Sequence, residues 1–440
     1  MRIAYVSLIP DPGHVVPLVR IASALEPQCE CKFYVAAEAE KILASSGLEF
    51  ELMPEVLPER ANFLLGRISV TRPIYRKLFY NRYFESHYYQ PIQHNGFKCL
   101  PLLSDMLEHY RPDIIVTDEH LLGLAVHLTG HRLGINVLQH RSSGSNQQCQ
   151  DLQPYARPTL PVQIPLTRIL SRAIGKIYNI TSRICNPHKF AETQKMKIEV
   201  EQQWASIIKK KNELNIPPKI FTTGIAVLEA KHLSQQIKVC EDIDIFGPLP
   251  PLFNDSPAPE DADWLNSSLN RPVILVSLGS MVSISQKLAR SIVEAGKLNG
   301  CRILWISRSN PIPRNYQDDT DIRHVAWAPQ PALLADDRIK GFISHAGSGA
   351  VQEAFWFGKP LLCIPQLWDQ PYNAWVIESL GVGITIDKTD FSTPIISDAL
   401  GSILHDETIR ERMKTFSAEI RFSGTPEKLF NYMETYLSNN

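Results

Sequence analysis

Three short apolar runs in this chain each stop at a glycine-bearing turn and give way at once to residues at helical spacing. Ile3 to Leu8 ends at Pro10-Asp11-Pro12-Gly13-His14, and Val16, Leu18, Val19, Ala22 and Leu25 follow. Val273 to Ser277 ends at Leu278-Gly279-Ser280. Ile339 to Ser344 ends at His345-Ala346-Gly347-Ser348-Gly349, before Val351, Ala354 and Phe355. Runs this short and apolar read as strands buried on both faces, and a strand feeding a helix through a tight turn is the unit of a doubly wound parallel sheet. Its recurrence in both halves predicts an α/β protein of two facing Rossmann-like domains with a cleft between them. At 440 residues the chain is long enough for two such domains.

The divider is Phe246-Gly-Pro-Leu-Pro-Pro-Leu-Phe253 with Asn-Asp-Ser-Pro-Ala-Pro259 behind it, a proline-rich stretch that continues neither helix nor strand. Residues 1–245 are read as the N-terminal domain, 246–262 as the linker and 263–425 as the C-terminal domain. The spacing of Leu429, Phe430, Met433 and Leu437 makes 426–440 a terminal helix.

A formal net charge of -1 gives no basic field, which argues against a nucleic-acid partner. The eight cysteines include no C-x-x-C pair, so neither a zinc framework nor a disulfide scaffold is expected, and reduced thiols point to a cytoplasmic protein. The opening run is broken too soon by Pro10 to be a signal peptide, and no run approaches the roughly 18 apolar residues of a spanning helix. The first turn lacks the second and third glycines of a dinucleotide fingerprint, which counts against NAD. Asp242-Ile-Asp244 has the spacing of a metal-binding acid pair but falls on an expected strand. It reads as surface charge, and no metal or other cofactor is expected.

The richest stretch runs from Trp327 to Gln370 and reads as a site for an anionic, base-bearing ligand. The first N–H groups of the helix after Gly347-Ser348-Gly349-Ala350 have no internal partner and attract phosphate. His345, at the mouth of that turn, can donate to the same anion, more strongly if protonated. Glu353, one helical turn further in, is an acceptor suited to vicinal ribose hydroxyls. Trp327 offers a flat face for a base, with the Gln330 amide near enough to read its edge. Asp369 and Gln370 follow a buried-type strand, Pro360 to Pro365, and can hydrogen-bond sugar hydroxyls.

These residues resemble the donor-binding box of the UDP-dependent glycosyltransferases of small and lipophilic molecules. The family's tryptophan, glutamine, histidine, glutamate and acid-glutamine pair fall in register on Trp327, Gln330, His345, Glu353, Asp369 and Gln370. At Ser348-Gly349-Ala350 the chain departs from the common pattern: Ala350 lacks the hydroxyl many members carry, which leaves its backbone N–H. The resemblance implies the GT-B arrangement, a UDP-sugar donor and a lipophilic small-molecule acceptor. It also implies a donor contact from Ser280 and a last helix that crosses back onto the first domain.

His14 stands where a strand's carboxyl end meets a helix start, the ligand edge of such a sheet. The helix N-terminus disfavours imidazolium, so the ring is expected to be a neutral base. Its Gly13-His14 setting matches the family's catalytic base. Asp118 ends the strand Pro112 to Asp118 and is the carboxylate expected to orient it, with Glu119 and His120 as rivals. Together the residues imply inverting, metal-independent transfer of a hexose, glucose first, to an acceptor hydroxyl. A thymidine-linked deoxysugar transferase, an epimerase of the same fold and a non-catalytic sugar-nucleotide binder are the alternatives.

Two further segments bear on the acceptor side. Pro54 to Pro101 is dense in aromatics, with Tyr75, Phe79 and Tyr83 on one helix face. Residues 168 to 215 carry ten Lys or Arg against four Glu, and Leu170, Ile174, Ile177, Ile180 and Ile184 form an apolar stripe. That helix reads as a cover for the acceptor cleft, with peripheral contact to an anionic membrane as the alternative.

Overall fold

The computed structural model describes residues 1–57, 90–119, 121–142, 187–237, 242–252, 256–267, 271–279, 284–308, 312–366, 369–388 and 390–439. Thirteen strands among them form two parallel sheets. The first joins β1 (Arg2–Ser7), β2 (Glu30–Ala36), β3 (Glu49–Met53), β4 (Ile114–Asp118), β5 (Asn136–Arg141), β6 (Lys219–Thr223) and β7 (Ile243–Phe246) in the order β3-β2-β1-β4-β5-β6-β7. The second joins β8 (Val273–Ser277), β9 (Arg302–Ile306), β10 (Ile322–Val325), β11 (Ile339–Ser344), β12 (Leu361–Cys363) and β13 (Gly383–Thr385) in the order β10-β9-β8-β11-β12-β13. Each sheet runs outward from its first strand, then reverses and runs the other way. The reversals fall between β1 and β4 and between β8 and β11, the crevices where open parallel sheets bind ligands.

Alternate residues of each inner strand feed opposite faces. Ile3 and Tyr5 of β1 pack into one apolar cluster and Ala4 and Val6 into another; Val273 and Leu275 of β8 do the same against Ile274 and Val276. Burial on both faces is why these strands are continuous apolar runs rather than alternating ones. The last helix, Pro426–Ser438, buries Leu429 and Met433 against β1 and the His14 helix in the first sheet's core. The short helix after β6, Ala226–His232, makes the reverse crossing: Leu228 lies in one cluster with Val351 and Phe355 of the second sheet's layer. Pro259 occupies the first position of a helix, Pro259–Asn266, so the last four residues of the linker drawn from sequence are helical.

The helix Pro187–Leu214 carries the later part of the basic stretch. Its Lys195, Lys197 and Lys209 face Glu199, Glu201 and Glu213 one turn on. Trp204 on the same helix packs edge-on against Phe97 and donates to Gln93 Oε1 at 3.0 Å. The aromatic positions from Phe63 to Tyr89, the stripe from Leu170 to Ile184 and Ser280 lie outside the described residues. Among the described residues no helix is long and apolar enough to cross a membrane, and Cys29, Cys31, Cys99, Cys301 and Cys363 are buried free thiols.

Candidate active site

The first reversal holds His14 and Asp118. Asp11 Oδ1 accepts from the Gly13 N–H at 3.1 Å and caps the helix Pro12–Leu25, whose first residue is proline. That cap sets His14 in the opening turn beside the end of β4. His14 Nδ1 lies 2.8 Å from Asp118 Oδ2, with the two side chains 28% and 7% exposed. Burial pulls the His14 pKa down, but the hydrogen bond and charge of Asp118, with Asp11 and Asp369 behind them, more than offset it, and the net shift is upward. This corrects the expectation of a pKa lowered by the helix start: the net shift is upward, because the neighbouring carboxylates outweigh burial. Glu119, the rival acid, is paired instead with Arg141.

The second reversal holds the turn after β11. Ala346 takes a left-handed conformation there (φ 62°), held by its N–H to Ser344 Oγ at 3.1 Å and by Asn373 Nδ2, which donates to its carbonyl at 2.9 Å. His345 lies across Gly279 and Gly347: a Cβ on either would come within 2.9 and 2.5 Å of its Nε2. Gly279 is also left-handed (φ 78°), so no other residue fits that spot without strain. Burial pushes the His345 pKa down to about 4. The ring is therefore neutral near pH 7, so a hydrogen bond that it donates to an anion is that of a neutral imidazole rather than the stronger one of imidazolium. The helix Ser348–Trp356 starts from Gly347 as its cap residue, which has no side chain to cap the first N–H groups.

The remaining donor-box residues fall around these two points. Trp327 is 58% exposed, unusual for so large a ring. Gln330 Nε2 donates to Glu353 Oε2 at 2.7 Å, and Glu353 Oε1 accepts from Arg20 of the first domain. Glu353 is thus engaged on both oxygens. Asp369 opens the helix Gln370–Ser379 and accepts from Asn373 Nδ2 at 2.8 Å; burial raises its pKa, and His14 is close enough to pull it back. Gln370 is buried, and its Oε1 accepts from the Gln366 N–H at 2.8 Å, so that oxygen shapes the loop before it. Asp244 of the acid-x-acid pair is engaged by Lys219 Nζ (2.7 Å) and Tyr432 OH (2.8 Å).

Sequence reasoning missed Arg20, Asn373 and Ser142, whose carbonyl accepts from Ser348 Oγ. Arg20 had a signal, a charge among Leu18, Val19, Ile21 and Ala22 on an otherwise apolar helix. Asn373 stands four residues after Asp369, on the same helix face. Ser142 contributes only its backbone, which no sequence pattern reveals.

Two Rossmann-like domains, each an open parallel sheet with its own switch point, make the GT-B fold. The solved structure titled as the glycotransferase of kitacinnamycin superposes with a TM-score of 0.69 at 17% identity, covering 99% of this chain and 98% of that one. The spinosyn forosaminyltransferase SpnP gives 0.63 at 16%, covering 100% and 99%. Residues 242–420 match the family model UDP-glucoronosyl and UDP-glucosyl transferase. Over 170 residues the chain is 32% identical to anthocyanidin 3-O-glucosyltransferase 2 of Manihot esculenta, covering 32% of this chain and 49% of that protein. Over 205 residues it is 29% identical to UDP-glucuronosyltransferase 1A6 of Homo sapiens, covering 46% and 33%. The matched span is thus about half or less of the length of these curated relatives. The resemblance read from the donor box is borne out for the part of the chain that carries it.

Proposed function

We propose that this protein is an inverting, metal-independent glycosyltransferase that moves a hexose, glucose first, from a UDP-sugar to a hydroxyl of a lipophilic or aromatic small molecule in the cytoplasm. The observation that carries the reading is the His14–Asp118 pair at one switch point, with Asp369 of the donor box close enough to act on His14 electrostatically. With Nδ1 turned to Asp118, Nε2 takes the acceptor proton. The acceptor oxygen bonds to the anomeric carbon as the bond from that carbon to the phosphate oxygen breaks on the opposite face, and UDP leaves. Asp118 stabilises the imidazolium that forms.

The leaving diphosphate is received by the open N–H groups of Gly347 to Ala350 and by neutral His345 as a hydrogen-bond donor. Ser280 belongs to this reading by resemblance alone. Exposed Trp327 is the base platform, with Gln330 at its edge, Glu353 at the ribose, and Asp369 and Gln370 at the sugar. Calorimetric titration of UDP, TDP and NAD with and without EDTA tests the donor assignment. UDP binding that survives EDTA, with no NAD binding, is the expected result. A preference for TDP moves the reading to deoxysugar transfer, UDP release from a UDP-sugar without acceptor moves it to epimerisation, and no nucleotide binding overturns it.

A further inference from the structure

Two residues assigned above to the donor have side chains held by groups of the opposite domain, and both sit on the helix Ser348–Trp356. Ser348 Oγ donates to the Ser142 carbonyl just beyond β5, and Glu353 Oε1 accepts from Arg20 Nη2. The Arg20 and Glu353 side chains are 8% and 9% exposed. The Gln330 amide occupies the other carboxylate oxygen. A carboxylate that grips a vicinal diol offers one oxygen to each hydroxyl. Here each oxygen already has a donor, and one of the donors is charged. A buried guanidinium needs an anion, and Glu353 is the one that the fold presents to Arg20. Arg20 shares its helix with His14, so the pair joins the base's helix to the donor helix.

We propose that Arg20 sets the nucleotide affinity of this site: it is a cross-domain latch on Glu353 that the ribose hydroxyls must displace. The proposal rests on the reading of Glu353 as the ribose acceptor. The Ser142–Ser348 contact is a second tie from the first domain to the same helix. Glu353 stands about 7.5 Å along the helix axis from Ser348, so a released guanidinium remains near the diphosphate. Uridine, which has the ribose and no phosphate, isolates the competition at Glu353 from any such contact.

The test is titration of the full chain and of Arg20→Met with uridine and 2′,3′-dideoxyuridine, with UDP as reference. Uridine should bind Arg20→Met about tenfold more tightly than the parent, the factor that 1.4 kcal/mol produces, while dideoxyuridine binds both alike. Unchanged or weaker uridine binding, with UDP still bound, overturns the latch and leaves the donor site standing. UDP binding by neither protein overturns the donor site and the latch with it. Arg20→Lys, which keeps the charge and shortens the reach, is the second variant should Arg20→Met not fold; it should gain about threefold for uridine, and no gain there also overturns the latch.

Discussion

His14 Nδ1 is 2.8 Å from Asp118 Oδ2 across the place where the first sheet reverses its strand order. Under the proposed mechanism His14 works only when neutral, and its partners raise its pKa from the ordinary 6.5. kcat/KM should therefore fall on the acid side with an apparent pKa above 6.5. Asp118→Asn should shift that limb to lower pH and reduce kcat roughly 100-fold or more. His14→Ala should lose turnover while UDP affinity is kept. A limb that stays in place in Asp118→Asn would detach the carboxylate from the base.

Two other histidines predict how the fold responds to acid. Burial holds His345 at about 4 and His140, whose Nε2 is 2.9 Å from Thr223 Oγ1, at about 3. Both folded values lie below the 6.5 of an exposed histidine, so below that pH the unfolded chain binds protons that the folded chain does not. Their stabilising effect is complete above pH 6.5 and lost as pH falls, on the order of 3 kcal/mol for each by pH 4. His14 has the opposite sign: its raised pKa stabilises most below 6.5, and the effect fades as pH rises through the folded value. Urea midpoints at pH 7.5 and pH 5 should show a loss on the acid side, and His345→Gln should flatten it. Equal slopes for the parent and the variant would contradict this account.

What the sequence made legible follows from which interactions are local. The strand–turn–helix units and the pairing of a strand-end acid with a turn histidine depend on periodicity and on the edge where a strand ends, and both are written in contiguous residues. The pKa of His14 was misread because its direction is set by a balance of burial against the hydrogen bond and charge of Asp118, with smaller help from Asp11 and from Asp369, and that balance is not written in contiguous residues. Glu353 was assigned from its place on a helix, and its partner Arg20 comes from the other domain. The start of the helix at Pro259 was legible, since proline at a first helical position is a local signal, yet it was absorbed into a proline-rich linker.

The helix Ala226–His232, which follows a first-sheet strand yet packs in the second sheet's layer, carries a polar anchor. Tyr372 OH donates to Glu229 Oε2 at 2.8 Å, and Glu229 is fully buried. Tyr372→Phe keeps the ring and removes the donor, so it should lower stability by about 1–3 kcal/mol. Glu229→Gln in the same background should recover part of the loss, because it replaces a buried charge with an amide. Additive effects in the double-mutant cycle would show that the two side chains are not coupled.

The chain crosses between the domains at Gly247 and again at Gly424, and the two crossings touch. A Cβ on Gly424 would lie 2.2 Å from the Gly247 carbonyl oxygen and 2.5 Å from that of Pro248. A Cβ on Gly247 would lie 1.9 Å from Ser423 Oγ and 2.7 Å from the Gly424 nitrogen. At Gly424 the φ of -115° is open to any residue, so close approach rather than backbone freedom demands glycine there. Alanine at either position should cost about 1–3 kcal/mol by overpacking. The two should differ in rescue. Gly247→Ala meets a side chain first, so Ser423→Ala should relieve part of its cost. Gly424→Ala meets carbonyl oxygens of the backbone, so the same second change should do nothing for it. Equal rescue of both in thermal unfolding would mean that the two crossings yield as one flexible unit rather than abutting at fixed backbone.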